Sequence, residues 1–216
     1  MLSYARNLFK TTSQHAKYWR DRKIDWKTSY LDTWNHPHRQ LLSHILKTFS
    51  WHSLLEVGVG GGANLANIVM THPKNKQLGG TDINADAIEF CNKTFEGAFF
   101  KVCPADDIMM SDNSVDMILT DMSLIYIDPR KIDAVMRELK RIARQHIVLC
   151  EFHSESWLER MKIRLLSGYN AYDYVKLLEK HGFNDVIRYK IPKQAWEGGW
   201  QEKVGYVIVA RVPRRK

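Results

Sequence analysis

Apolar positions along this chain recur with two different periods, and the two alternate. Compact apolar runs at 54–59, 77–81, 98–102, 115–120 and 146–150 have the length and continuity of strands buried on both faces. Between them, 63–70, 85–94 and 131–142 repeat their apolar residues at helical spacing. Such a series of strand, helix and strand builds a parallel sheet with helices packed on both faces. A further helix is predicted over 169–181, stopped by Gly182, and two more strand-like runs follow at 184–191 and 204–212. Their link, PKQAWEGGWQE, is too short for a crossover helix, so the two are expected to pair as an antiparallel hairpin. Residues 1–50 read as helical, with a break near Pro37. The expected fold is α/β: a doubly wound, mostly parallel sheet of seven strands, closed by an antiparallel hairpin and preceded by a helical cap. The expected units are a cap over 1–50 and an α/β domain over 51–216.

Composition alters this picture little. Hydrophobic residues make up 44% and charged residues 26%, ordinary for a folded domain, and no apolar run approaches the roughly 18 residues of a membrane span. Cys91, Cys103 and Cys150 are far apart, so neither a disulfide framework nor a metal site is expected, and a reducing compartment, the cytoplasm, is indicated. The first twenty residues hold no acid and mix Arg and Lys with Ser and Thr, as mitochondrial transit peptides do, which makes the mitochondrial matrix the alternative location. Against targeting, Tyr18, Trp19, Trp26, Tyr30 and Trp34 form a continuous aromatic segment suited to packing.

The net charge of +8 is concentrated at the two ends. Residues 1–47 hold nine Lys/Arg against three Asp, and 188–216 hold eight against two Glu, so the middle is acidic. Basic flanks are either solvated surface or a patch that attracts an anionic small molecule or nucleic acid. Arg20, Arg22, Lys23, Arg39 and the terminal 214–216 are the candidates for phosphate contacts.

The candidate chemistry begins in LLEVGVGGGANL, 54–65. Gly58, Gly60, Gly61 and Gly62 turn a strand into a helix, and small residues there let a ligand lie against bare backbone. Gly58, Gly60 and Ala63 fit G-x-G-x-x-G/A, a spacing that serves NAD equally. Glu56 shifts the balance. A carboxylate at the end of a buried strand needs a cation or hydrogen-bond donor, which an aminoacyl sulfonium cofactor supplies and a pyrophosphate does not. Asp82, ending the second strand in GGTDIN, is placed to accept two ribose hydroxyls from either cofactor.

These motifs resemble those of the class I S-adenosylmethionine-dependent methyltransferases, in particular the methyltransferase-11-type group, over about 52–152. LLEVGVGGG resembles the first family motif, TDIN the second, and PADDIMMSDNSVDMILTDM the third and fourth. The resemblance implies a Rossmann-like fold and S-adenosylmethionine as cofactor. It places Glu56 and the loop with Gly58, Gly60 and Gly62 at the methionine portion, Asp82 and Ile83 at ribose and adenine, Asp106 and Asp107 at the adenine amino group, and Asp121, Met122 and Ser123 on the methyl-transfer side. Met109-Met110 departs from the family's usual Pro-Phe pair and leaves that loop open.

Methyl transfer from a sulfonium is an in-line displacement, so alignment and exclusion of water do most of the acceleration. Where the acceptor must lose a proton, Asp121, Tyr126 and His153 are the candidate catalytic groups, with His36 and His38 of WNHPHR brought over by the cap. The fourth strand lacks the N/D-P-P-Y/F of base-stacking amino methyltransferases and no Pro-Cys pair is present, which favours a small-molecule acceptor, O- or N-methylated. The pocket is expected from the aromatic cap and the insert 154–168. The alternatives are an RNA- or protein-directed enzyme using the basic flanks, or a non-catalytic S-adenosylmethionine-binding module. A chain beginning near Leu41 is expected to fold and bind cofactor but lose transfer.

Overall fold

The computed structural model describes residues 12–213. Its amino-terminal segment forms α1 (Thr12–Asp21), the single turn α2 (Trp26–Ser29) and α3 (Pro37–Lys47). The predicted break is the irregular stretch before Pro37. Pro37 itself opens α3, because its fixed φ suits a first helical position and its missing N–H costs nothing there. The phosphate-contact candidates at 214–216, and the first part of the proposed targeting segment, lie outside the described residues.

The chain continues through β1 (Ser53–Val57), α4 (Ala63–Thr71), β2 (Gln77–Asp82), α5 (Ala85–Thr94), β3 (Phe99–Val102), β4 (Val115–Asp121), α6 (Ile132–Ile142) and β5 (Ala143–Phe152). It ends with α7 (Trp157–Ser167), α8 (Tyr174–Lys180), β6 (Asn184–Lys190), α9 (Gly199–Val204) and β7 (Gly205–Arg211). The seven strands form one sheet in the order β3-β2-β1-β4-β5-β7-β6. β1 to β5 pair in parallel, while β7 runs antiparallel to both β5 and β6. The doubly wound, mostly parallel sheet with a terminal antiparallel hairpin is as expected.

Strand alternation divides the core into two layers. Leu55, Ile118, Ile147 and Leu149 face Val135, Met136 and Leu139 of α6 and Leu178 of α8. Leu54, Met117, Leu119 and Val148 face Leu42 and Leu46 of α3, Leu65 and Ile68 of α4, and Cys91 of α5. Each central strand is buried on both faces, the reason its sequence reads as a continuous apolar run. The cap helix α3 thus belongs to one core layer.

Three local readings are corrected. The helix predicted over 169–181 begins only at Tyr174, because Asp173 caps it, accepting from Lys176 N. Asn170 before it lies outside the helix and donates its side-chain amide to the Ile125 and Ile127 carbonyls. The hairpin link carries α9, so Val204 ends a helix and does not start a strand. The 154–168 insert, expected to help form the pocket, is mostly α7 and lines no part of the crevice at the strand ends. The loop that Met109-Met110 left open is pinned by Arg141, which donates to the carbonyls of Ile108 and Met110 at 2.8 and 2.7 Å.

The sheet order reverses at β1. The chain steps outward through β2 and β3, then returns to lay β4 on the other side of β1. Connections after β1 and β4 leave in opposite directions, opening a crevice at their carboxyl ends, the place where ligands bind such sheets.

Candidate active site

The turn after β1 is held by two backbone bonds, from Gly58 N and Val59 N to Thr81 O, at 2.7 and 2.9 Å. Gly58 has φ +81°, and a side chain there would collide with Ser123 at the end of β4. Gly61 is small for another reason. A Cβ would lie 2.6 Å from the Trp26 carbonyl and 2.8 Å from Tyr30 Cβ, so the cap is seated directly on the loop. The glycine run read as ligand clearance therefore serves the protein's own packing as well. Of the loop glycines, Gly58 and Gly60 line the crevice, whereas Gly62, with φ +75°, packs its backbone against Phe95.

A cavity of about 440 Å³ occupies the crevice. Asp82 and Ile83 line it at the end of β2, and Asp106 after β3. The Asp82 carboxylate accepts from Gly60 N at 3.0 Å and Asn84 N at 2.9 Å. Burial raises its pKa, and those backbone donors oppose the rise. Asp106 pairs with Lys131 at 2.7 Å, another lining residue. Its neighbour Asp107 is exposed and does not line the cavity.

The opposite wall is the end of β4. Asp121 Oδ2 accepts from Arg39 Nη1 at 2.8 Å, Asn64 Nδ2 at 3.0 Å and His38 Nε2 at 3.0 Å. Burial alone would raise its pKa, but His38, Arg39 and Asn64 together hold it well below the carboxylate range. Asp121 Oδ1 finds no partner among the described residues. Met122, next along, has φ +51°, a backbone region that branched and bulky residues rarely enter and that marks local strain. His38 is itself clamped. Trp196, from the link between β6 and β7, stacks on its ring with centroids 3.9 Å apart, and His36 Nδ1 lies 2.6 Å from its Nδ1.

Glu56 does not reach the cavity. It is 2% exposed, accepts from Asn64 Nδ2 at 2.7 Å, and burial pushes its pKa up to about 8. The expected partner for its charge is thus an amide of the protein. Tyr126 does line the cavity, with Trp19 edge-on at 5.0 Å and Tyr169 at 5.6 Å, and burial raises its hydroxyl pKa. His153 lies elsewhere. It is 3% exposed, its Nδ1 is held by the Tyr172 and Tyr174 backbone, and its Nε2 faces Arg188.

The roof comes from the cap, where Trp19, Trp26, Tyr30 and Arg39 all line the cavity. Arg39, read as a phosphate contact, points inward to Asp121, and Lys23 pairs with Asp86. Met122 and Ser123 line the cavity beside Asp121, where the resemblance put them; sequence reasoning missed Asn64, Trp196 and the strained backbone at Met122. Asn64 alone left a signal, a polar residue in the apolar first turn of α4.

A doubly wound sheet with this reversal, a glycine turn and carboxylates at the ends of β2 and β4 defines the class I methyltransferase architecture. Residues 54–146 match the family model described as a methyltransferase domain. These residues, a little under half of the chain, thus read as a methyltransferase domain, and the fold is that of the class I S-adenosylmethionine-dependent methyltransferases. No curated protein matches it by sequence. Geranyl diphosphate C-methyltransferase from Streptomyces coelicolor, crystallised with S-adenosylhomocysteine, is similar in structure at TM-score 0.66 and 15% identity, over 94% of this chain and 98% of that one. The N-methyltransferase NodS from Bradyrhizobium japonicum is similar at TM-score 0.62 and 17% identity, over 83% and 96%. So is a chain from the complex of the Haloferax volcanii Trm112 activator with a methyltransferase, at TM-score 0.65 and 15% identity, over 84% and 91%. Among the described residues no helix is long and apolar enough to cross a membrane.

Proposed function

We propose that this chain methylates an oxygen or nitrogen atom of a small-molecule acceptor, with residues 1–50 acting as the cap and 51–216 as the catalytic domain. The observation that carries this reading is the roof. Trp19, Trp26 and Tyr30 roof a cavity of about 440 Å³ over the strand ends, which cofactor and acceptor would share, a volume within the range of small-ligand sites. The exposed Arg20 in the cavity wall favours an acceptor with an anionic group.

The residues present fit the cofactor. Asp82 would accept the ribose hydroxyls, with Ile83 and Asp106 beside the adenine. Gly58 and Gly60 leave room for the methionine portion, and the unpartnered Asp121 Oδ1 would receive its ammonium. Glu56 acts through Asn64 to orient that end of the site, and Gly62 through the turn itself. When bound, the cofactor supplies an electrophilic methyl carbon.

What the chain adds is alignment and dryness. The aromatic roof excludes water from the displacement, and the ion pair with Arg39 leaves Asp121 a weak base that orients an acceptor N–H or O–H. Tyr126, its pKa raised by burial, stays protonated and serves as a hydrogen-bond donor. An acceptor amine that enters neutral needs no other base. His153 and Asp107, away from the cavity, have no part in this reading.

The test supplies methyl-tritiated S-adenosylmethionine to the protein with a fractionated extract of its source. Label is expected in the small-molecule filtrate. Label confined to acid-precipitable RNA or protein would replace this acceptor class with the polymer-directed alternative, and cofactor binding without transfer to any fraction would support the non-catalytic module.

A further inference from the structure

Helix α7 is turned outward. Side chains on a helix are separated by about 100° per residue, so 157, 158, 161 and 165 share one face while 163 lies on the opposite side. Ile163 is completely buried, against Ile125, Phe152 and Ala171. Trp157, Leu158 and Met161 are 64%, 63% and 41% exposed, and Leu166 beside them 43%. A surface helix of a globular domain normally does the reverse, burying its apolar stripe and exposing its charges. Four of the twelve exposed large apolar side chains among the described residues fall on this one helix, so they form a patch and not scatter.

The charges beside the stripe have one free sign. Glu155 is paired with Arg188, and Glu159, which accepts from Ser154 Oγ at 2.6 Å in a bond that does not neutralise it, points about 150° away from the centre of the stripe. Lys162, exposed, and Arg164, half-buried near Tyr172, flank the stripe on its two sides with no acidic partner at ion-pair distance among the described residues. A tryptophan-led apolar stripe bordered by cations matches what an interfacial helix needs: an apolar face to sink to the headgroup boundary and long basic side chains that reach lipid phosphates.

We propose that α7 docks the protein on an anionic bilayer surface, with Trp157, Leu158 and Met161 in the interface and Lys162 and Arg164 on lipid phosphates. Charge complementarity selects this occupant over a second copy of the chain, whose identical cations would face these. The docked orientation brings the cap to the membrane, because His15 Nε2 of α1 lies 3.1 Å from Gly168 O at the end of α7.

The experiment is flotation of the full chain with vesicles of phosphatidylcholine, alone or with about one-third phosphatidylserine. Binding is expected to the anionic vesicles and to weaken with salt. The paired change Leu158→Glu and Met161→Glu is expected to lower partitioning by about tenfold or more, with the melting temperature and S-adenosylhomocysteine affinity unchanged. Lys162→Glu is expected to act only on the anionic vesicles. In case the paired variant fails to fold, quenching of tryptophan fluorescence by brominated lipid, lost in Trp157→Phe, reads the same contact. No flotation of the parent chain, or flotation equal in the paired variant, would overturn the proposal. So would self-association that the paired change abolishes in the absence of vesicle binding, which would give the stripe to a second copy. None of these readouts involves the methyl acceptor, so they stand or fall apart from the proposed reaction.

Discussion

Glu56 and Asp121 stand near the carboxyl ends of adjacent strands, both buried and both bonded by the same Asn64 amide. Their proton affinities are nevertheless driven apart, Glu56 up to about 8 and Asp121 below the carboxylate range. The difference lies in what the cap delivers. Arg39 and His38 bond Asp121 directly, whereas for Glu56 burial and the repulsion of Asp121 and Asp82 outweigh the Asn64 amide and a more remote Arg39. A strand-end acid is therefore not ionised by its position. It is ionised by the element that covers it, so the amino-terminal segment sets the electrostatics of the site as well as its shape.

The largest effect should come from removing that delivery. Arg39→Met leaves a buried carboxylate without its ion partner and is expected to destabilise the fold by about 3–5 kcal/mol in urea titration. Adding Asp121→Asn should restore most of the loss. If Arg39→Met is silent, the asymmetry between the two acids comes from elsewhere. The same contact revises the expectation for a chain beginning near Leu41. Without His38 and Arg39 it would strand Asp121, so a folding defect is expected as well as lost transfer, checked by its melting temperature.

Glu56 provides the opposite test. Its folded pKa of about 8 lies above its ordinary 4.5, so its contribution to stability is complete below about pH 4.5 and is lost as pH rises through 8. Asp121, with a depressed folded pKa, contributes above its ordinary value of 3.8 and loses that as pH falls. Glu56→Gln is expected to flatten the decline between pH 5 and 8 by a few kcal/mol, seen as a smaller pH dependence of the urea midpoint. Glu151, also raised to about 8, leaves a residual slope in the same window. An unaltered slope in Glu56→Gln would mean that this acid is ionised throughout.

Asp82 is the third carboxylate of the set, raised like Glu56 but lining the cavity. Asp82→Ala should weaken S-adenosylhomocysteine binding by about 1–3 kcal/mol in calorimetry, through two lost charge-assisted hydrogen bonds. The smallest expected effect is on nucleic acid. With Arg39 turned inward, RNA binding should fall only shallowly with salt, well short of the slope of about −0.7 per phosphate that several contacts on a single strand would produce.

The catalytic half of this comparison could be read from sequence because its cues are local. The apolar run into a glycine turn, and an acid at the end of the next strand, each lie within a dozen residues and follow from backbone geometry. The cap's half could not. Arg39 and Asp121 are separated by 82 positions, and the only cue was a basic residue on a flank, which reads as solvated surface. Helix α7, in the insert expected to help form the pocket, lines no part of the cavity and turns Trp157, Leu158 and Met161 outward, a direction that apolar spacing along the chain does not reveal. Asp173 shows the local counterpart: a capping aspartate inside an apolar pattern moved a helix start by five positions from the predicted 169.

The stacking of Trp196 on His38 bears on how the chain assembles during synthesis. Arg39 leaves the ribosome 82 residues ahead of Asp121, an interval of about 4–16 s at ordinary elongation rates. The Trp196 ring that fixes His38 follows later still. Over that interval Arg39 keeps its guanidinium in water, although Leu42 and Leu46 of the same helix can already pack with Leu54, Leu65 and Ile68. The cap is thus made first and fastened last, and a nascent chain halted before the final hairpin would carry a complete glycine turn beneath an unfastened roof.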